Sequence, residues 1–139
     1  MKNLLMAALC SAGILAAGCA SAPKSDARAA EGSWHGQEAG VVSDQGSPTL
    51  MIQGDRVEFH DANPIIWFKG TLTLDESPTP KQFALLVTEC PLPPLVGQTI
   101  HGIYRLVGGK LTLSAYGPGA APVPTAFDAP GAHQFVFTH

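Results

Sequence analysis

Charge is scarce in this chain of 139 residues: Asp, Glu, Lys and Arg together make up 14% of it. Eight basic residues stand against eleven acidic ones, and Lys2 falls in the N-terminal leader, so the mature chain is mildly acidic. No basic stretch is present to neutralise phosphates, which argues against a nucleic-acid partner. The same lack removes electrostatic docking on anionic lipid. Cysteine is equally scarce, with three in all. Cys10 lies in the leader, and if Cys19 carries lipid only Cys90 remains, so no internal disulfide is available. The fold must then be held by its apolar core. Cys90, in "TECPLPP", reads as a buried apolar cysteine at a strand end. A reactive thiol or a haem-type Cys-Pro ligand is the alternative.

Catalytic signatures are also missing. Gly-x-Ser-x-Gly is absent, and Ser114 lies in a strand without an elbow. No glycine-rich loop precedes a helix to cradle phosphate. The five histidines are His35, His60, His101, His133 and His139. They have no H-x-H or H-E-x-x-H spacing, and the cysteines have no C-x-x-C. Three imidazoles with a carboxylate such as Glu58 would bind zinc only if the fold gathered them. Strand-end or surface histidines are the plainer reading. The expectation is therefore no catalytic residues, no metal and no cofactor.

What is present begins with an address. "MKNLLMAALCSAGILAAGC" carries Lys2, then an apolar stretch from Leu4 to Ala17, then small residues. This is the pattern of a secretory signal over residues 1–18. "LAAGC" resembles the bacterial lipobox, where cleavage precedes a cysteine bearing diacylglycerol. The lipobox usually has Leu three residues before the cysteine; here Ala16 holds that position and Leu15 precedes it. Ordinary small-x-small cleavage has Ala20-Ser21-Ala22, followed by the unfavourable Pro23, or the distant Ala27-Arg28-Ala29. Lipidation of Cys19 is the expected outcome. Acyl chains contribute about 0.8 kcal/mol per buried methylene, and a triacylated cysteine supplies more than the single chain that anchors only marginally. "ASAPKSDARAAE", from Ala20 to Glu31, reads as a flexible tether with a reach of roughly 20 Å. Residues 32–139 form the domain.

From Gly32 onward the apolar period is two. In "TLMIQGDRVEFH", Leu50 and Ile52 share a face, Gly54-Asp55 turns, and Val57 and Phe59 share the next face. Gly70, Leu72 and Leu74 alternate with Thr71 and Thr73. Leu111, Leu113 and Ala115 alternate with Thr112 and Ser114, and Phe135 pairs with Phe137. "QFALLVTEC" is apolar on both faces, which predicts a strand covered on both sides. Turn signals separate these runs, among them Asn63-Pro64, "ESPTPK", "PLPPLVGQ" and Gly108-Gly109. Twelve prolines and fifteen glycines suit short strands. The pattern predicts an all-β fold of about seven or eight antiparallel strands, closed into a barrel so that no edge is left open.

"EGSWHG" opens the domain with Gly-x-Trp, at Gly32 and Trp34. Lipocalins and related calycin barrels begin their first strand this way, and there the Trp fills the narrow end of the barrel. The series "IQGDRVEF", "KGTLTLDESPTPKQFALL", "GIYRLVGGKLTL", "PTAF" and "PGAHQFVF" resembles an uncharacterised lipocalin-like domain family abundant in planctomycete proteins. The resemblance runs from Glu31 to His139 and implies a lipocalin-like barrel but almost no chemistry. In calycins an Arg from the last strand commonly crosses the Trp. None is available here, and Arg105 is the candidate substitute.

A small barrel either fills its lumen or holds one small ligand. The aromatics expected at a cavity or its lip are Trp34, Phe59, Trp67, Phe83, Tyr104 and Phe135. In "NPIIWFKG" an apolar run beside a proline turn would form a lip if that turn lies at the mouth. The expected function is non-catalytic binding of a small apolar or amphipathic molecule by a lipoprotein of the cell envelope. Its partners would be a membrane reached through the anchor, outer membrane favoured, and that ligand. A filled barrel meeting another envelope protein is the second reading, and a metal-dependent or hydrolytic enzyme the third. A secreted or periplasmic protein is the alternative location.

Overall fold

The computed structural model describes residues 25–119 and 122–139. The signal (1–18), Cys19 and the chain up to Lys24 lie outside the described residues. A single helical turn, α1 (Asp26–Ala29), precedes eight strands. These are β1 (Gly32–Glu38), β2 (Thr49–Gln53), β3 (Arg56–His60), β4 (Trp67–Asp75), β5 (Lys81–Glu89), β6 (Thr99–Val107), β7 (Lys110–Ala115) and β8 (His133–Thr138). Each strand pairs antiparallel with the next, and β8 returns to pair with β1. The closed all-β barrel expected from the period-two pattern is the fold, and the strand count is eight. Closure pairs every strand on both sides, leaving no free edge.

Two links are tight because glycine permits them. Gln53 pairs Arg56 across Gly54-Asp55, with Gly54 at φ 63°. Val107 pairs Lys110 across Gly108-Gly109, at φ 60° and 73°. Left-handed backbone at both central residues is the hairpin geometry that glycine supplies without a Cβ clash. Among the described residues no other type takes positive φ, so Asp55 turns without it.

These hairpins share one end of the barrel with the β4–β5 link, α1 and the end of β8. The connections 39–48, 61–66, 90–98 and 116–132 lie at the other end or leave from it. The first end is closed. Ala30 is buried there, and Trp34 Nε1 donates to the Ala30 carbonyl at 2.8 Å. The tether expected over Ala20–Glu31 therefore stops short of Glu31. From Asp26 the chain is helical and docked, because Asp26 accepts from Tyr104 Oη at 2.8 Å and from Lys81 Nζ at 2.7 Å.

Leu50, Ile52, Val57 and Phe59 are buried inside, with cross-strand pairs Leu50–Phe59 and Ile52–Val57. In β5, Phe83, Leu85 and Val87 point inward, but Leu86 on the other face is 42% exposed. The expected two-sided cover of β5 is thus corrected: its apolar outer residue faces solvent. Outer cover falls instead on β6 and β7, where outward Ile103, Thr112 and Ser114 are buried. Ser114 Oγ donates to the Phe127 carbonyl at 3.0 Å, and Arg105 lies over the Phe127 ring at 4.7 Å. The returning segment before β8 is the cover.

Candidate functional site

The lumen has two halves. Near the closed end Ala30, Ile52, Val57, Leu72, Leu74 and Leu111 leave a void of only about 20 Å³. That half is filled by side chains. Toward the other end a cavity of about 360 Å³ opens at the barrel mouth. Leu50, Phe83, Leu85 and Leu113 border both spaces and form the floor between them. The Phe83 ring lies against Gly102, where a Cβ would strike it, so the missing side chain makes room for that ring. Above the floor, Phe59 stacks on Phe68 with centroids 4.8 Å apart and meets Phe135 edge-on at 5.2 Å. Ile66, Ile100 and Ala115 complete an apolar wall.

Polar groups enter at the rim. Glu38, Asp61 and His133 border the cavity there, with Tyr116 beside them. His133 Nδ1 and Glu38 Oε1 are paired. Asp61 Oδ1 accepts from the Ala62 N–H at 2.8 Å. A second hollow of about 370 Å³ lies under the loop from Val41 to Pro48, and it too is bordered by Glu38 and Asp61. Its wall is mixed, with Ser43, Asp44 and Gln45 beside Val41, Val42 and Pro48. The two carboxylates thus border both the apolar chamber and this mixed one. A third hollow, about 460 Å³, sits on the outer wall among Arg56, Glu58, Lys69 and Glu89. Lys69 and Glu89 pair there at 3.8 Å and are both well exposed.

Of the six aromatics expected at the cavity, Phe59, Phe83 and Phe135 line it. Trp34 does not: it is buried at the closed end, tied to Ala30. Tyr104 points inward but downward, to Asp26, and is 1% exposed. Trp67 faces outward beside His60, with ring centroids 6.3 Å apart, and Lys69 lies 6.0 Å from its centroid. Its neighbour Phe68 takes the inward place. The signal for Phe68 was in the phase of β4: it pairs with inward Phe59, as Gly70 pairs with inward Val57. The apolar run at Asn63-Pro64 does lie at the mouth. Ile66 and Phe68 line the cavity there, and Ile65 is 72% exposed.

The expected Arg105 cover for Trp34 is also corrected. Arg105 is engaged with Phe127 on the outer wall. His139 covers the Trp instead, with ring centroids 3.7 Å apart and its Nδ1 3.2 Å from the Ser33 carbonyl. Cys90 is half-buried just past β5, and its thiol donates to the Leu92 carbonyl at 3.0 Å. The histidines are dispersed. His60 pairs with Glu58 at 2.6 Å on the outer wall, His133 is at the rim, and His139 is at the closed end. Among the described residues no three His, Cys, Asp or Glu side chains gather as metal ligands would.

Electrostatics distinguish the two ends. At the closed end burial pushes the Asp26 carboxyl up, but hydrogen bonds from Lys81 and Tyr104 outweigh it and hold the group below its usual range. Burial and the Asp26 charge push the Tyr104 phenol well above its ordinary value. On the outer wall the His60 hydrogen bond lowers Glu58. Comparison with protein-family models, curated proteins and solved structures found no match.

Proposed function

We propose that this chain is a lipocalin-like lipoprotein of the cell envelope, and that its barrel binds one small apolar or amphipathic molecule without transforming it. The observation that carries the reading is the half-hollow lumen: about 360 Å³ of apolar space open at one end, above a packed floor. Binding sites for small molecules are typically clefts of roughly 300–1,000 Å³ with apolar walls and few polar groups. The cavity lies at the low end of that range, which favours a single short chain or ring.

The address rests on the leader and Cys19. The described chain begins at Ser25 and docks by Asp26 at the closed end. A lipid on Cys19 would hold the barrel by that end, because six residues span at most about 22 Å. The mouth would face away from the membrane, toward the compartment from which a ligand arrives.

The test is calorimetric titration of the mature domain with decanol. The expected result is binding at one site, weakened at least about tenfold by Ala115→Phe, whose ring would enter the cavity. Across shorter alcohols each lost methylene should cost about fourfold in affinity, the equivalent of about 0.8 kcal/mol. Absence of binding in the wild-type domain, or full binding by a folded Ala115→Phe variant, contradicts the reading.

A second reading has its own observation. Val41, Val42, Ile65, Leu92 and Val96 are exposed on the connections around the mouth, with Val42 fully so. An apolar crown of this kind suits contact with an envelope protein. Cross-linking from Val42 and Ile65 in intact cells would identify such a partner, and crown substitutions to Ser would remove the cross-link.

A further inference from the structure

The cavity's wall carries no Lys or Arg; at its rim stand the carboxylates Glu38 and Asp61, with the His133 ring paired to Glu38. The adjoining hollow likewise has no Lys or Arg, and adds Asp44. Among the described residues the basic side chains lie elsewhere. Arg28, Arg56, Lys81 and Lys110 belong to the closed end. Lys69 pairs with Glu89 on the outer wall, and Arg105 lies on Phe127. The mouth is therefore acidic while the opposite end holds the cations.

We infer that the cavity selects an amphiphile with a cationic nitrogen head, an alkyl- or aryl-amine, seated with its apolar part on the Phe83 floor and its head between Glu38 and Asp61. The inference rests on the reading of the cavity as a ligand site and names the ligand's class. A head emerging from the apolar chamber passes the two carboxylates that border both hollows. The Glu38 side chain is only 18% exposed, so its charge is partly withdrawn from solvent, where attraction to a cation is stronger. One oxygen of each carboxylate is engaged, Glu38 Oε1 by His133 and Asp61 Oδ1 by the Ala62 N–H. The second oxygen of each is left to take an ammonium N–H. A carboxylate-headed ligand, such as a fatty acid, would bring a like charge to this rim and find no Lys or Arg to meet it, while the rim's imidazole, His133, is already paired with Glu38. Rejection by repulsion sharpens selection as much as attraction does.

The experiment is calorimetric titration of the mature domain at neutral pH with decylamine, decanol and decanoate, which share a tail and differ in head charge. The expected order is amine above alcohol above carboxylate, with the amine favoured over the alcohol about tenfold, the size of one charge-assisted hydrogen bond. Glu38→Gln with Asp61→Asn should bring the amine-to-alcohol ratio close to one. Asp61→Asn alone should lower it in part. Glu58→Gln, on the outer wall, should leave the ratio unchanged. If alcohol and carboxylate bind as tightly as the amine, the head-group inference fails while the cavity reading stands. If none of the three binds, the cavity reading itself fails.

Discussion

Tyr104→Phe removes one oxygen from the closed end and leaves the ring in place. In the native protein that hydroxyl donates to Asp26 Oδ2 at 2.8 Å, beside the Lys81 ammonium at 2.7 Å from the same oxygen. A hydrogen bond to a charged acceptor contributes about 1.5–3 kcal/mol. The value here falls below that range, because Asp26 keeps Lys81 and Lys81 is 41% exposed, so water screens the cluster. The variant should be less stable by about 1 kcal/mol at neutral pH. The pH dependence is the sharper signature. Burial and Asp26 raise the folded phenol above its unfolded value. The phenol's contribution is thus complete below about pH 10, and above that the unfolded chain loses its proton first. Stability should then fall by up to about 1.4 kcal/mol per pH unit through this group alone. Phenylalanine has no such proton, and titrations common to both proteins cancel in the difference. The two stability curves should therefore meet within about one unit above pH 10 and then cross. On the acid side Asp26, held low, stabilises the fold above its unfolded value, and that contribution fades as pH falls through the folded one. The acid limb should be shallower in the variant. Urea denaturation followed by tryptophan fluorescence across this range makes the measurement. Equal stability at neutral pH with parallel alkaline limbs would refute the clasp.

Two further outcomes follow, one from the structure and one from the sequence of the leader. Gly102→Ala would drive a Cβ into the Phe83 ring and the Ser114 carbonyl, so it should cost about 1–3 kcal/mol by thermal or urea melt; a neutral effect would mean the floor is loose. Cys19→Ala should move the full-length protein from the membrane fraction to the soluble one; a protein that stays with the membrane has another anchor.

The barrel was legible because its inward residues recur every second position, and because glycine marks its two tight turns. The position of a side chain along the lumen was harder to read. Tyr104 and Phe83 both point inward, yet one reaches down to α1 and the other forms the floor. Height depends on strand tilt and stagger, which closure sets between strands and no single strand's pattern contains. Trp67 illustrates a different limit. Size made it the conspicuous residue of "IIWF", but phase, through the pairing of Phe68 with Phe59, decided which ring enters. The apolar Leu86 misled for a related reason: hydrophobicity on both faces of β5 suggested cover that no element supplies. His139 could not be assigned to Trp34 by spacing, since the two are joined only by the pairing of β8 with β1. Asp26 looked like tether because its neighbours are small and polar, and its partners Lys81 and Tyr104 are remote in sequence.

The central claim is that the open half of the lumen, and no other surface, receives an apolar guest. Methyl-resolved NMR of the mature domain during titration with decanol tests it most directly. Leu50, Leu85, Ile100 and Leu113 border the cavity, whereas Met51 and Leu86 lie outside the barrel. The account predicts saturable shifts at the first four methyl groups and none at the last two. Silence at the cavity methyls, or shifts centred on Met51 and Leu86, would contradict it.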